Sequence, residues 1–427
     1  MTRRYIITMI FQLIVTCLSA QTPLDTAFRV TQVTHAQFLS MVRSSNLSYA
    51  AEKFNIQLAQ AAIEAAKVFP DPSLTFNWVD NGQKRMKMGY GFNSSVNWLL
   101  ELGGKRKARG ELASSQLKLT GFLVDDFFRN LRADGTIVYL QVLLQQDILK
   151  VTKGSYESML QLARADSIRY KLGEIKEIDA RQSKLEAAAF LNDVYKAEAN
   201  WKAALVTLQT FMGKHSDTLY SPKNNIVMPE KDFSLHDLLN VAAQNRSDIM
   251  AALKNKDVAG NMLRLAKADR MIDLGLNMGL ANNAAVLNQV SPTPSTSVVS
   301  AGITIPLKFS SKYRAELLTA QYSIQQADLR YRQAEVQVKA EVTAAYYNYV
   351  SAKQQVQHYR SGLLEDAQKT LDGKIYSYVA GETNLLDVLN ARRTYNTLIQ
   401  GYHESLNNLG VTLVELERAA GIWDIYL

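Results

Sequence analysis

The 427-residue chain holds few groups that could do covalent chemistry. Its five histidines, His35, His215, His236, His358 and His403, are scattered, and none stands at metal-ligand spacing from another histidine or a cysteine. Met86 and Met88 flank Lys87 and offer two soft thioethers, too small a set to define a metal site. No Ser/His/Asp set, P-loop or glycine-rich dinucleotide turn is present. The residues point away from an enzyme, and no catalytic residue, metal site or cofactor is assigned. One carboxylate stands in an unusual setting. Asp387 interrupts the apolar run Leu385-Leu386…Val388-Leu389, soon after Gly381 and the polar step Glu382-Thr383-Asn384. Two chemistries are open to it: an acid in the first turn of a helix, favoured by the dipole, or an acid facing a pore, where a ring of carboxylates selects cations.

The elements that must position Asp387 are long helices. The eight prolines lie at 23, 70, 72, 222, 229, 292, 294 and 306, so 73–221 and 307–427 contain none. Both runs are rich in good helix formers. The stretch 376–392 reads as a reversal between two such helices, and a weaker copy lies at 169–184. There Gly173 replaces Gly381, Glu174 replaces Glu382 and Asp179 replaces Asp387.

The reversal is part of a larger repetition. Residues 35–213 and 234–421 align, with Asn46 opposite Asn245, Leu74 opposite Leu274, Gly173 opposite Gly381 and Gly213 opposite Gly421. Each copy reads helix, strand, loop, strand, very long helix, reversal and return helix. In the first copy the strands are predicted over 73–80 and 89–102, the long helix over 105–172 and the return helix over 176–212. In the second the strands fall at 273–281 and 297–307, the long helix at 311–378 and the return helix at 384–420. The first helix of copy one is predicted as a single rod from 35 to 68. The second long helix is predicted to run unbroken, about 100 Å at the usual rise. Its stripe Val338, Val342, Ala345, Tyr349, Ala352 and Val356 has coiled-coil spacing. Segment 21–34 reads as an extension, 214–233 as a polar linker or small side-structure, and 422–427 as a tail.

The four strands alternate. Leu74, Phe76 and Trp78 share one face against Thr75 and Asn77; Tyr90, Phe92, Val96 and Trp98 share one against Gly91, Asn93 and Asn97. A soluble sheet with one buried face fits this pattern. So do membrane strands, one face to lipid and one to a wet lumen, with Trp78, Tyr90 and Trp98 as interfacial aromatics. Four strands are too few to close a barrel, so a barrel requires several chains. The strand-to-helix stretch that follows carries a Lys/Arg cluster at 105–109, unfavourable at a helix N-terminus. A basic collar beside lipid headgroups or a solvated helix end accounts for it.

Residues 1–20 have the form of a secretory signal peptide, with Arg3 and Arg4 before an apolar run and cleavage near Ala20; a lipoprotein signal at Cys17 is the alternative. Cys17 is the only cysteine. The formal charge of +8 becomes +6 without the two leader arginines, and with export it implies a charged surface rather than nucleic-acid binding.

These features together, the leader, the doubled unit, two strands per copy, the very long helices and the YxxGxxxxxDVLxA reversal, resemble the outer-membrane efflux protein (TolC) family. The stretch Glu101-Leu-Gly-Gly-Lys-Arg is similar to its cation-efflux (CzcC/CusC-like) branch. The resemblance implies a mainly α protein with membrane β structure: a homotrimer whose strands form one twelve-stranded barrel in outer-membrane lipid, continued by a helical coiled-coil barrel across the periplasm of a Gram-negative cell. It implies a passive exit duct whose partners are a periplasmic adaptor (membrane-fusion) protein and an inner-membrane pump, of the RND type. The adaptor-contacting tips map to Leu172, Gly173 and Glu174 and to Ala380, Gly381 and Glu382. The periplasmic entrance gate maps to Asp387 and Asn390, the latter an amide where the family often has a second acid. The same duct serving drug efflux or type I protein secretion, and a soluble periplasmic coiled-coil scaffold, are the alternative readings.

Overall fold

The computed structural model describes residues 29–80, 87, 89–214, 218–223 and 231–424. The predicted leader with Cys17, the Met86/Met88 pair and His215 lie outside the described residues. The chain is mainly helical. Its elements in order are β1 (Arg29–Val33), α1 (His35–Ser45), α2 (Leu47–Lys67), β2 (Ser73–Asp80), β3 (Tyr90–Leu100), α3 (Lys105–Lys171), α4 (Glu177–Phe211) and β4 (Thr218–Pro222). Then come α5 (Leu235–Asn245), α6 (Ser247–Asp269), β5 (Leu274–Asn283), β6 (Thr296–Thr304), α7 (Lys312–His358), α8 (Leu364–Val379) and α9 (Leu385–Ala420). At 67 residues α3 is about 100 Å long.

Strands β2, β3, β5 and β6 form one antiparallel sheet in that order, and β3 pairs with β5 from Gly91↔Asn283 to Leu100↔Leu274. The sheet therefore joins the two halves of the chain. All four of its connections to helices leave from one end, where Ser73 lies opposite Asn97, Leu100 opposite Leu274 and Gly275 opposite Thr304. The main core lies in the helical region, where Phe38, Tyr139, Leu205, Leu208 and Met212 meet Val342, Tyr349, Leu409, Leu413 and Leu416. The stripe read from α7 packs as its spacing requires: Val338, Val342, Tyr349, Ala352 and Val356 are buried, and Ala345 is half-buried against them.

The structure departs from the sequence reading in four places. The first helix is two helices, broken at Asn46, whose ψ of 122° leaves the helical region. Its side chain explains the break: Oδ1 accepts from the Tyr49 amide at 2.9 Å, capping α2, while Nδ2 donates to the Phe211 carbonyl at 2.9 Å. The matching break in the second half is at Arg246, not Asn245. That guanidinium is buried between Asp248, Glu341 and the Ala419 carbonyl.

The second long helix is interrupted. A π-turn over Tyr359–Leu363 divides α7 from α8, and Gly362 sits at φ +110°. No side chain crowds Gly362, so its backbone freedom is what admits the kink. Finally, the extension and the linker find each other: β1 pairs in parallel with β4, from Arg29↔Thr218 to Val33↔Pro222. The Tyr139 hydroxyl donates to the Val33 carbonyl at 3.1 Å and ties this ribbon to α3.

Candidate functional site: the paired reversals and the four-stranded sheet

Both reversals are built by the same hydrogen bonds. At the end of α3 the Gly173 amide donates to the Tyr170 carbonyl at 3.0 Å and the Glu174 amide to the Arg169 carbonyl at 2.9 Å. At the end of α8 the Gly381 amide donates to Tyr378 at 3.1 Å and the Glu382 amide to Ser377 at 2.8 Å. These are two Schellman motifs, which require a left-handed residue just past the helix. Gly173 and Gly381 supply it, at φ +78° and +79°, and nothing approaches either within 4 Å of where a Cβ would stand. The glycines are there for backbone conformation, not for space. Leu172 (69 % exposed), Glu174, Ala380 and Glu382 project around them, all exposed.

The two helices that leave the reversals start differently. Asn384 caps α9, its Oδ1 accepting from the Asp387 amide at 3.0 Å, whereas Lys176 at the start of α4 offers no side-chain cap. Asp387 thus occupies the first turn of α9. Its carboxylate lies 3.8 Å from the Lys374 ammonium, with both side chains about two-fifths exposed (40 % and 43 %). Asn390 is exposed one turn on, while Val388 and Leu389 turn inward.

A network absent from the sequence reading holds the two reversals together. The Tyr378 hydroxyl donates to Asp166 Oδ1 at 3.0 Å, 212 positions away, and both side chains are buried. Arg169 lies 3.9 Å from Asp166, places its guanidinium 5.2 Å from the Tyr378 ring centre and reaches the Tyr378 carbonyl at 3.5 Å. Burial pushes the Asp166 carboxyl above the usual carboxylate range, against the pull of Arg169 and of its hydroxyl donors. Burial and the neighbouring carboxylate likewise raise the Tyr378 phenol. Around them pack Met159, Ala163, Ala187, Leu385, Val388 and Leu389. Met159, Ala163 and Asp166 follow at spacings of 4 and 3, so an acid in a core register was the available signal.

The sheet sorts its side chains by face. The cross-strand pairs Leu74↔Val96, Trp78↔Phe92, Val96↔Met278, Trp98↔Leu276 and Leu280↔Val299 put every large apolar residue named on one side. That side is bare: Leu74 is 71 % exposed, Met278 65 % and Val299 76 %. The other side carries Thr75, Asn77, Asn93, Ser95 and Ser300 with the glycines 91, 275, 279 and 302, and three apolar side chains, Val79, Leu99 and Val298. Aromatics mark both ends of the apolar side. Trp78 stacks on Tyr90 with ring centres 5.0 Å apart, and at the helix-side end Trp98 Nε1 donates to the Pro70 carbonyl at 3.1 Å. In this chain β2 and β6 are the sheet edges. Among the described residues no helix is long and apolar enough to cross a membrane, and no three His, Cys, Asp or Glu side chains gather as a metal-holding group.

Comparison with known proteins gives this arrangement its family. The model of the outer membrane efflux protein family matches residues 38–214 and again 238–422. The chain belongs to the outer membrane efflux protein family. It is 23 % identical over 375 residues to the cobalt-zinc-cadmium resistance protein CzcC of Cupriavidus metallidurans, covering 88 % of this chain and 86 % of that one. Among solved structures, CusC superposes with a TM-score of 0.74 at 19 % identity, over 91 % of this chain and 92 % of CusC. The outer membrane protein VceC of Vibrio cholerae does so with a TM-score of 0.70 at 16 % identity, over 91 % and 96 %. These structures share the fold: long helix pairs attached to a short sheet.

Proposed function

We propose that the chain is the passive exit duct of a tripartite efflux system in the outer membrane, with one sheet and two helix pairs contributed by each of three identical chains. The observation that carries the reading is the sheet. It turns an apolar face outward with nothing on it and leaves both edges unpaired within the chain, a combination that aggregates unless lipid covers the face and other strands cover the edges. Closing β6 of one copy on β2 of the next meets both needs at once, and three copies make twelve strands. Tyr90 and Trp98 lie on one face of β3 eight residues apart, about 27 Å along the strand; at the tilt of outer-membrane barrel strands that is about 21 Å of height, the scale of their ~25 Å apolar band.

The helices then extend from the barrel as a periplasmic tunnel, and the two reversals form its far mouth. Leu172, Gly173, Glu174, Ala380, Gly381 and Glu382 are the surface offered to an adaptor protein, and an inner-membrane pump of the RND type supplies the work. Asp387, in the first turn of α9, contributes the carboxylate of the entrance, with Asn390 beside it. The two halves of the chain act as structural repeats, each giving one hairpin and one helix pair. The cation-efflux assignment rests on the likeness to CzcC, and heavy-metal cations are the proposed cargo.

Detergent extraction tests the duct: the protein is expected in the membrane fraction, with a mass of three chains by light scattering. Recovery as a monomer in the soluble periplasm would refute it. Loss of the gene is expected to raise sensitivity to cobalt, zinc and cadmium. If metal tolerance is unchanged while drug tolerance or protein secretion falls, the duct serves a different pump.

A further inference from the structure

The basic cluster at 105–109 is half of a larger feature. Four segments meet where the sheet joins the helices: 67–72, 101–109, 267–273 and 305–314. Several contacts bind them into one seam. The Leu102 amide donates to Asp273 at 3.3 Å, Lys308 reaches the Asp269 and Met271 carbonyls, and Arg106 lies 4.1 Å from the Phe69 ring centre. Together the segments hold ten Lys or Arg and four Asp or Glu. Their excess of six equals the whole excess of the chain once the two leader arginines are set aside, so the remainder sums to zero. The net positive charge of the chain beyond its leader is thus accounted for by this seam.

Two of the four acids of the seam are taken up in ion pairs. Asp273 is shared by Lys105 and Lys308, and Glu101 holds Arg109 through both oxygens. Arg106, Lys107, Lys267, Arg270 and Arg314 are exposed and have no carboxylate partner among the described residues. Beside them an apolar tier stands in the open: Phe69, Leu102, Met271, Ile272, Leu307 and Phe309, the last 88 % exposed. Cations next to exposed apolar side chains, at the end of an apolar sheet face, match a lipid interface, with tails against the tier and phosphates against the cations.

We infer that this seam is a binding collar for anionic phospholipid headgroups of the leaflet facing the helices, fixing the depth at which the chain sits. The inference rests on the membrane reading of the sheet and adds a headgroup preference that the sheet alone does not require. Lys105, Lys308 and Arg109 build the collar, and the five cations without a carboxylate partner meet the lipid.

The test uses the full chain in vesicles of equal phosphatidylcholine and phosphatidylglycerol. Lipid that stays bound on gentle extraction is counted by mass spectrometry. Phosphatidylglycerol is expected to exceed phosphatidylcholine by at least about fivefold, the effect of one engaged cation, and the preference is expected to collapse at molar salt. The combined variant Arg106→Gln, Lys107→Gln, Lys267→Gln, Arg270→Gln and Arg314→Gln leaves the Asp273 and Glu101 pairs intact and is expected to hold both lipids equally. Equal retention by the unaltered chain, or an unchanged preference in the variant, overturns the collar while leaving the duct standing. A chain that enters neither these vesicles nor pure phosphatidylcholine removes the membrane reading and the collar with it.

Discussion

The contact that unites the two reversals can be cut with one atom. Tyr378→Phe removes the hydroxyl that donates to Asp166 at 3.0 Å and changes nothing else in shape. Tyr378 is 5 % exposed and Asp166 is fully buried, so water cannot take the place of the lost donor. A buried acceptor left short of a partner costs about 1–3 kcal/mol, equivalent to a rise of about 5- to 150-fold in the local opening constant. The cost falls on the small core of Met159, Ala163, Leu385 and Val388, which lies apart from the main one. Amide exchange by mass spectrometry reads it directly. Peptides covering 159–187 and 375–389 should exchange faster by that factor, while those covering 338–356 should not change. Unchanged protection at the reversals would show that Asp166 and Tyr378 do not hold them. An equal loss in both regions would show that the small core is not a separate unit. In the proposed duct the same variant should pass more current in a planar bilayer, because its mouth opens more often.

Other consequences can be checked separately. Gly173→Ala and Gly381→Ala should each cost about 1–2 kcal/mol, and by the same amount, since both positions are left-handed and neither added methyl meets a neighbour; exchange at each reversal measures this, and a large inequality would contradict it. His35 is buried with Nε2 3.0 Å from the Thr136 hydroxyl, and burial lowers its pKa from 6.5 to about 4. The unfolded chain then binds a proton that the folded chain does not, so stability is full above pH 6.5 and falls as pH drops toward 4, by about 3 kcal/mol per chain. Urea unfolding of the helical region from pH 7 to 4.5 should show that slope, and His35→Phe should flatten it. Asp387→Ala should reduce cation selectivity in planar-bilayer conductance; unchanged selectivity would leave Asp387 as a helix-start acid paired with Lys374. Trp78 and Trp98, but not Trp201 or Trp423, should be quenched by brominated lipid, and quenching that persists in the Trp78→Phe, Trp98→Phe double variant would displace the apolar face from the membrane.

Much of this protein was legible in local patterns. Alternation along 74–78 and 90–98 names the strand faces, because a strand's side chains point to opposite sides whatever the strand pairs with. The stripe from Val338 to Val356 names the packed side of α7 for the corresponding helical reason. Gly173 and Gly381 announce the reversals, because only a residue at ease with positive φ ends a helix in that way. Asn46, by contrast, could be a helix interior or a cap, and its bond to the Phe211 carbonyl, 165 positions away, accompanies its choice of the cap. The kink at Gly362 is not legible in sequence, because a glycine inside a good helical pattern is tolerated as often as it bends one. β1 and β4 are strands of five residues each, too short to show a sheet face until the other lies beside it. The Asp166–Tyr378 pair is the limiting case. Each residue alone reads as an oddity on a helix, and only the tertiary fold, by burying both and bringing 212 positions of chain into register, makes a donor of one and an acceptor of the other.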